Sequence, residues 1–297
     1  MEITQIRHFV RIAETGSYIK AADLLDMGQS TLSRQVRALE VELRASLFYR
    51  HGRGVMLTEA GKKFLEYARG VLHLMDSAAI AVRDSESAFS GQLTIGMAPS
   101  IGRACIPTLL PRLAELYPRA AISVVEGLSG ALYDAVLLGQ LDFALLYNPA
   151  ASPNIRISPI VSEPLYLIGA APVGEAQDQV TLAAVAALPL ILPHGNHSVR
   201  VAVESAAARL GLGVNLALQV DATYSTMELV AQGMGYSIMP RLVGRGAGLP
   251  ALSWQKIEQP ALDTTLCMVQ LAQQPSNPLV SAAAEVVRGS LGGLLAQ

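Results

Sequence analysis

Residues 17–43 constrain the fold most strongly, because their pattern predicts two helices joined by a tight turn. At 3.6 residues per turn, the apolar side of the second helix consists of Leu32, Val36, Leu39 and Leu43. The opposite side carries short polar groups and guanidinium groups, those of Ser30, Ser33, Arg34 and Arg37. Such a side suits the major groove of DNA, where Arg can bind guanine bidentately. An ordinary amphipathic surface helix would show the same pattern, so the neighbouring segments are needed to distinguish it from a DNA-binding helix.

The segments on either side of this helix pair favour a winged helix-turn-helix. Helical spacing predicts an earlier helix over 3–14 that ends at Gly16, and Ser17 is a suitable cap for the helix that follows. We expect Gln29 or Ser30 to cap the second helix of the pair. Residues 47–58 read as a β-hairpin with a Gly-rich basic tip, where Arg50 and Arg53 could reach DNA phosphates.

Charge is distributed unevenly along the chain. Residues 1–69 hold eleven Lys or Arg and eight Asp or Glu, whereas the remaining residues hold eleven basic and sixteen acidic ones. A basic N-terminal part on an acidic body fits a DNA-binding module joined to a second domain.

A long helix is predicted from Thr58 to about residue 86. Apolar residues alternate along it in steps of four and three, at Phe64, Ala68, Val71, Met75, Ala78 and Val82. This heptad-like stripe favours pairing with the same helix of a second subunit, and the alternative is packing on the chain's own body. A dimer would place two recognition helices on the two half-sites of an inverted repeat.

From residue 91 onward, strands and helices alternate in two units, with 87–91 as a hinge of small residues. The alternation predicts parallel sheet covered by helices on both faces. A strand near 264–272 and a final helix from Asn277 are expected to complete the first unit.

The first 63 residues resemble the winged helix-turn-helix of LysR-type transcriptional regulators. The matching residues are Phe9, Gly16, Ser17, Ala21, Ala22, Leu25, Gln29, Ser30, Leu32, Ser33, Leu39, Glu40, Leu43, Leu47, Phe48, Arg50, Arg53 and 57–61. One departure is Ser30, where the family often has Pro. The body segments 126–130 and 141–144 also resemble the nitrogen-assimilation-control subgroup.

The resemblance implies a mainly α winged helix-turn-helix followed by a two-lobed α/β body like that of periplasmic binding proteins. The implied domains are 1–58 for DNA binding, 59–90 for the linker helix and hinge, 91–161 with 265–297 for lobe I, and 162–264 for lobe II. It also implies that the DNA-facing residues are Gln29, Ser30, Ser33, Arg34 and Arg37, with Arg50 and Arg53 on the DNA backbone. Dimerisation through 58–86, tetramers, contact with RNA polymerase and a cytoplasmic location are further expectations.

The resemblance also places an effector in the cleft between the lobes. In such folds ligands lie where strands end and helices begin, and backbone N–H groups there attract anions. The candidate residues are Ser100, Ile101, Ser129, Tyr147, Asn148, His197, Ser198 and Thr223. Each position taken alone is more often an ordinary helix cap, but their convergence on one face, with Arg103 and Arg200 nearby, favours a small carboxylate-bearing effector.

Other classes of protein fit less well. His194 and His197 lack a third metal ligand at a recognised spacing, and no nucleophile, phosphate-loop or C-x-x-C motif occurs. Cys105 and Cys267 are most simply interpreted as small buried hydrophobic residues, and a redox role is the alternative. We therefore expect no cofactor, metal, catalytic activity or membrane span. The competing hypothesis is a solute-binding or enzymatic α/β protein whose N-terminal domain mediates protein contacts.

Overall fold

A computed structural model describes residues 1–51, 54–83, 89–174, 178–245, 248, 250–273 and 277–295. The chain forms a small N-terminal head, one long helix and a two-lobed α/β body, in that order. No helix within the described ranges is long and apolar enough to span a lipid bilayer.

The head contains three helices and a two-stranded hairpin: α1 (Ile3–Thr15), α2 (Tyr18–Leu24), α3 (Gln29–Leu43), β1 (Phe48–His51) and β2 (Gly54–Leu57). Its core is built on Phe9, whose ring centroid lies 5.1 Å from that of Phe48. The Ser17 hydroxyl accepts a hydrogen bond from the Lys20 amide, which confirms the predicted cap. The predicted cap of α3 is wrong, because Gly28 occupies that position and no side chain caps the helix.

The long helix is α4 (Glu59–Arg83), and the Thr58 hydroxyl accepts from the Gly61 amide at its start. The first two residues of the predicted dimer stripe, Phe64 and Ala68, instead belong to the head. Phe64 packs against Phe9, with ring centroids 5.0 Å apart, and Ala68 is buried in the head core. The reason is that α1 lies along this side of α4 and covers the first turns of the stripe.

Lobe I contains β3 (Gly91–Met97), α5 (Pro99–Leu116), β4 (Ala120–Glu126), α6 (Ser129–Leu137) and β5 (Phe143–Tyr147). Strands β4, β3 and β5 are parallel neighbours, as the alternation predicts. The chain then returns through β12 (Asp263–Leu271), which pairs antiparallel with β5, and ends in α10 (Pro278–Leu295). The sheet is therefore mixed, because the returning strand enters from the opposite end.

Lobe II is reached through β6 (Ile155–Gly169), which pairs antiparallel with β12 from Ile155 to Pro164. The rest of the lobe consists of β7 (Gln179–Thr181), α7 (Leu182–Ala187), β8 (Leu190–Leu192), α8 (Ser198–Arg209), β9 (Leu216–Gln219), α9 (Thr223–Ala231), β10 (Ser237–Pro240), a 3₁₀ helix (Arg241–Gly244) and β11 (Ser253–Glu258). Strand β6 is continuous between the lobes, so the expected boundary at 161/162 falls inside a strand.

Candidate DNA-binding face and effector cleft

Helix α3 presents one polar side to solvent. Leu32, Val36 and Leu39 are fully buried in the head core, which turns Arg34 and Arg37 outward. Neither guanidinium makes an ion pair with any residue that the structure describes. Two unpaired cations on the exposed side of a helix are suited to contact bases and phosphates.

The start of α3 adds backbone donors to this side. Gln29 and Ser30 are exposed in its first turn, and since no side chain caps the helix, the first N–H groups can meet a phosphate. Ser33 is half-buried and already takes part in an interaction within the molecule. In the wing, the predicted hairpin is present as β1 and β2. The Arg50 side chain and Arg53 lie outside the described residues.

Helix α4 also contacts lobe I, through the residues that follow α6. The Gln140 side-chain amide donates to the Glu66 carbonyl oxygen over 2.6 Å. His73 Nε2 lies 3.4 Å from Asp142, whose buried carboxylate also accepts from the Thr94 amide. This hydrogen bond raises the pKa of His73, and burial of the ring opposes the shift.

Gly70 lies at the centre of this contact. A Cβ atom at this position would lie 1.8 Å from the Leu138 carbonyl oxygen, which no side chain could tolerate. The absence of a side chain therefore lets helix α4 approach lobe I closely.

The third side of α4 is apolar and exposed. It carries Tyr67, Val71 and Leu74, spaced by four and three residues, and Tyr67 is 62% exposed. Val71 belongs to the predicted dimer stripe, and Tyr67 and Leu74 do not. Helix α4 thus has one side on the head, one on the body and one apolar side facing solvent.

Three described helices of the body begin without a side-chain cap: α5 and α6 in lobe I and α9 in lobe II. Ser100, Ser129 and Thr223 lie in their first turns, and their backbone N–H groups are suited to an anion. The Ile101 side chain points away, into the hydrophobic core of lobe I.

Two of these helix starts meet across the lobes. The Tyr224 hydroxyl, in the first turn of α9, donates to the Pro99 carbonyl oxygen over 3.4 Å. The Arg103 guanidinium lies over the Tyr224 ring, 4.4 Å from its centroid. The start of α5 in lobe I and the start of α9 in lobe II therefore lie next to each other. Tyr224 carries no motif that the sequence could have revealed.

Other candidate residues have structural partners. The Tyr147 hydroxyl donates to Glu163 over 2.5 Å, and the Glu163 carboxylate also accepts from the Leu242 amide over 2.9 Å. Burial and the Glu163 charge raise the pKa of Tyr147 well above its usual value. Glu163 was missed at the sequence level, where a lone carboxylate in an apolar strand was the only signal.

Asn148 and His197 are also engaged. The Asn148 side chain donates to the Thr264 hydroxyl and accepts from the Thr265 amide, so it fastens β5 to β12. His197 Nδ1 accepts from the Val199 amide and caps α8, which leaves the half-buried Ser198 behind it. These helix-cap and strand contacts are the ordinary alternative that the sequence left open.

The charged groups that the sequence suggests for effector or metal binding also have internal partners. Arg200 pairs with Glu204 at 2.7 Å and donates to the Pro193 carbonyl oxygen. His194 pairs with Asp221 at 2.8 Å. Within the described residues, no group of three or more His, Cys, Asp or Glu side chains could hold a metal ion.

Both cysteines are buried and free. Burial and the Glu163 charge raise the pKa of the Cys105 thiol to about 12, so this thiol stays protonated at neutral pH. Since thiolates are the reactive form, the environment of Cys105 fits a packing role.

Comparison with known proteins decides the family. Residues 3–62 match the bacterial regulatory helix-turn-helix protein, lysR family, and residues 86–292 match the LysR substrate binding domain. The chain belongs to the LysR family. The nitrogen assimilation regulatory protein nac of Klebsiella aerogenes is 31% identical over 97% of this chain and 94% of its own length. The Escherichia coli nac protein is 28% identical over 97% of this chain and 94% of its own. These relatives confirm the suspected subgroup.

Solved structures agree on the fold. CbnR, a LysR family transcriptional regulator, superposes with a TM-score of 0.71 at 26% identity, covering 98% of this chain and 99% of CbnR. A full-length OxyR variant from Pseudomonas aeruginosa gives a TM-score of 0.72 at 22% identity, covering 98% of this chain and 94% of its own. This LysR-family chain is therefore a DNA-binding transcriptional regulator with an effector-binding body. The relatives are named transcriptional regulators, so the competing hypothesis of a solute-binding or enzymatic protein whose N-terminal domain mediates protein contacts is wrong.

Proposed function

We propose that the outer side of α3 reads DNA and that a small carboxylate in the cleft controls this reading. The observation that supports DNA reading best is the pair of exposed guanidinium groups of Arg34 and Arg37, which have no ion-pair partner among the described residues. Gln29, Ser30 and Ser33 complete this side, and Arg50 and Arg53 hold the DNA backbone. A full-length CbnR has been crystallised with its target DNA, and it is 26% identical to this chain.

The effector proposal rests on the facing starts of α5 and α9. Their N–H groups, with those of α6, would bind the carboxylate through Ser100, Ser129 and Thr223. The Arg103 guanidinium, which lies over the Tyr224 ring, would balance the negative charge of the bound carboxylate. Tyr147, Asn148, His197 and Ser198 would shape the wall of the cleft, and Ile101 would hold α5 in place.

The same geometry offers a route from the cleft to the head. Helix α6, whose start at Ser129 is a proposed effector contact, is followed by Leu138, Gln140 and Asp142, which contact α4. A carboxylate that binds one position of α6 better than another would shift the packing of α4. The effector's differential affinity sets the limit of that shift.

We propose self-association through the apolar side of α4, within the linker of residues 59–90. A charge-free stripe of Tyr67, Val71 and Leu74 is suited to a second copy of the same helix. The dimer would bind an inverted repeat, and pairs of dimers would form tetramers that contact RNA polymerase. A regulator of chromosomal DNA would act in the cytoplasm.

DNA reading is tested by a gel shift on the promoter region next to the coding sequence. We expect Arg34→Ala to weaken specific binding by about 1–3 kcal/mol, the discrimination of one bidentate Arg–guanine contact. Arg11→Ala, which removes a cation on α1 that pairs with Glu14, is the matched control. Equal effects of the two variants would contradict the assignment of α3.

The effector is tested by a thermal-shift screen of small carboxylates. We expect a stabilising carboxylate to lose its effect in Arg103→Gln and to keep it in Arg209→Gln, which lies at the end of α8. A carboxylate that stabilises Arg103→Gln as much as the natural chain would place its site elsewhere.

A further inference from the structure

Lobe II has a pocket that is separate from the cleft residues. Its volume is about 510 Å³, within the range of small-ligand sites, and it is lined by Tyr166, Asp178, Gln179, Arg241, Leu252, Trp254 and Lys256. None of these residues belongs to the helix starts of the cleft. Tyr166 lies opposite Lys256 in the β6–β11 register, so both side chains lie on one side of the lobe II sheet.

Arg241 is held on aromatic rings in this pocket. Its guanidinium lies 5.0 Å from the Trp254 ring centroid and 5.8 Å from that of Tyr166. Both distances are those of cation–π contacts, which orient the planar fork without using its N–H donors. Among the residues that the structure describes, no carboxylate pairs with Arg241.

Trp254 is positioned by its own neighbours. It meets Tyr166 edge to face, with ring centroids 6.2 Å apart. A Cβ atom at Gly244 would lie 2.5 Å from the indole, so Gly244 leaves the space that this ring occupies. The aromatic support of Arg241 is therefore a fixed part of lobe II.

Asp178 contributes the opposite charge. Its carboxylate is exposed and has no ion-pair partner among the described residues. Lys256 is already paired with Glu258 at 2.6 Å, so its charge is locally compensated. The pocket thus combines a cation and an anion that have no ion-pair partner in the described part of the chain with apolar surface from Leu252 and the two rings.

We propose that this pocket binds a small zwitterion of the amino-acid type with an apolar side chain. The ligand's carboxylate would meet the Arg241 fork bidentately, its ammonium group would meet Asp178, and its side chain would lie against Leu252 and the ring edges. A ligand with both charges satisfies both residues, whereas a simple anion leaves Asp178 unpaired. The site would give the regulator a second input besides the cleft.

The test uses the fluorescence of Trp254, which is the single tryptophan of the chain. The full-length protein is titrated with L-phenylalanine, with phenylacetate, which lacks the ammonium group, and with phenethylamine, which lacks the carboxylate. We expect a saturable change with L-phenylalanine at the lowest concentration. Arg241→Gln should weaken this response about tenfold or more, because charge-assisted hydrogen bonds are lost.

Two further variants separate this site from general charge effects and from the cleft. Asp178→Asn should make L-phenylalanine bind no better than phenylacetate. Arg209→Gln and the cleft variant Arg103→Gln should respond like the natural chain, and circular dichroism verifies that every variant is folded. The absence of a saturable response to L-phenylalanine, or an unchanged response in folded Arg241→Gln, would overturn the proposal. A loss of response in Arg103→Gln would do the same by pointing to the cleft.

Discussion

The head and the cleft build their functional surfaces in different ways. On α3, one helix turns Arg34 and Arg37 to solvent because its other side is buried. In the cleft, helix starts from two lobes meet through Tyr224 and Pro99, which are 125 residues apart in sequence. A surface on one helix follows from local periodicity, whereas a surface between lobes depends on how distant elements pack.

The comparison also separates free from engaged side chains. Arg34 and Arg37 of α3 have no ion-pair partner among the described residues, which fits their proposed contacts with DNA. Several candidate cleft residues instead fasten strands or cap helices, as Asn148 and His197 do. Being polar at a strand end is therefore weaker evidence for ligand contact than being polar opposite a buried helical stripe.

The largest effect should come from a charge on the apolar side of α4. We expect Leu74→Asp to weaken self-association by roughly 3–5 kcal/mol, the cost of an uncompensated charge at a buried contact. Analytical ultracentrifugation measures the association, and Arg69→Asp, an exposed change elsewhere on α4, should leave it nearly unchanged. A dimer of natural strength in Leu74→Asp would show that this side of α4 is not the interface.

The next effect concerns Glu163, whose contacts with Tyr147 and Leu242 are expected to stabilise the fold. Glu163→Gln removes the charge that accepts from Tyr147 and from the Leu242 amide, and Glu163 is only 4% exposed. We expect a loss of about 1.5–3 kcal/mol of stability, the value of hydrogen bonds to a charged group. Denaturant unfolding measures it, with the exposed Glu115→Gln as control. Equal stability of the two variants would show that the hydrogen bonds of Glu163 do not stabilise the fold.

A smaller effect concerns the salt dependence of DNA binding. If Arg37 contacts a phosphate, Arg37→Ala should lower the slope of log affinity against log salt by about 1. The slope should be unchanged in Arg11→Ala. An unchanged slope in Arg37→Ala would show that Arg37 does not contact a DNA phosphate.

The smallest effect concerns pH and the contact between α4 and lobe I. Asp142 raises the pKa of His73, so the contact stabilises the fold below the usual His pKa and loses this contribution as pH rises through the folded-state pKa. We expect His73→Gln to lower the melting temperature by a few degrees at about pH 5.5 and by less at about pH 8.5. Arg209→Gln, an exposed change at the end of α8, is the control. A pH-independent difference would rule out a charged His73–Asp142 pair.

Much of the head could be predicted because its signals are local. The turn after α2, the Ser17 cap and the wing hairpin each depend on a few consecutive residues. The predicted cap of α3 was wrong because Ser30, a favoured cap residue, lies inside the helix, and Gly28 occupies the cap position. The dimer stripe failed in part because α1 covers Phe64 and Ala68, and no heptad count reveals which neighbour a stripe meets.

The sequence by itself determined the family, the order of the domains and the polar side of α3, because periodicity and short motifs are encoded within a few turns of chain. Only the tertiary structure decided that α4 has three different sides, that Glu163 joins the lobes and that Arg241 rests on two rings without an ion pair among the described residues. These features depend on contacts between residues far apart in the chain. Such contacts form only when the head, α4 and the body pack in three dimensions, and those of Glu163 also require β6 to lie beside both lobes.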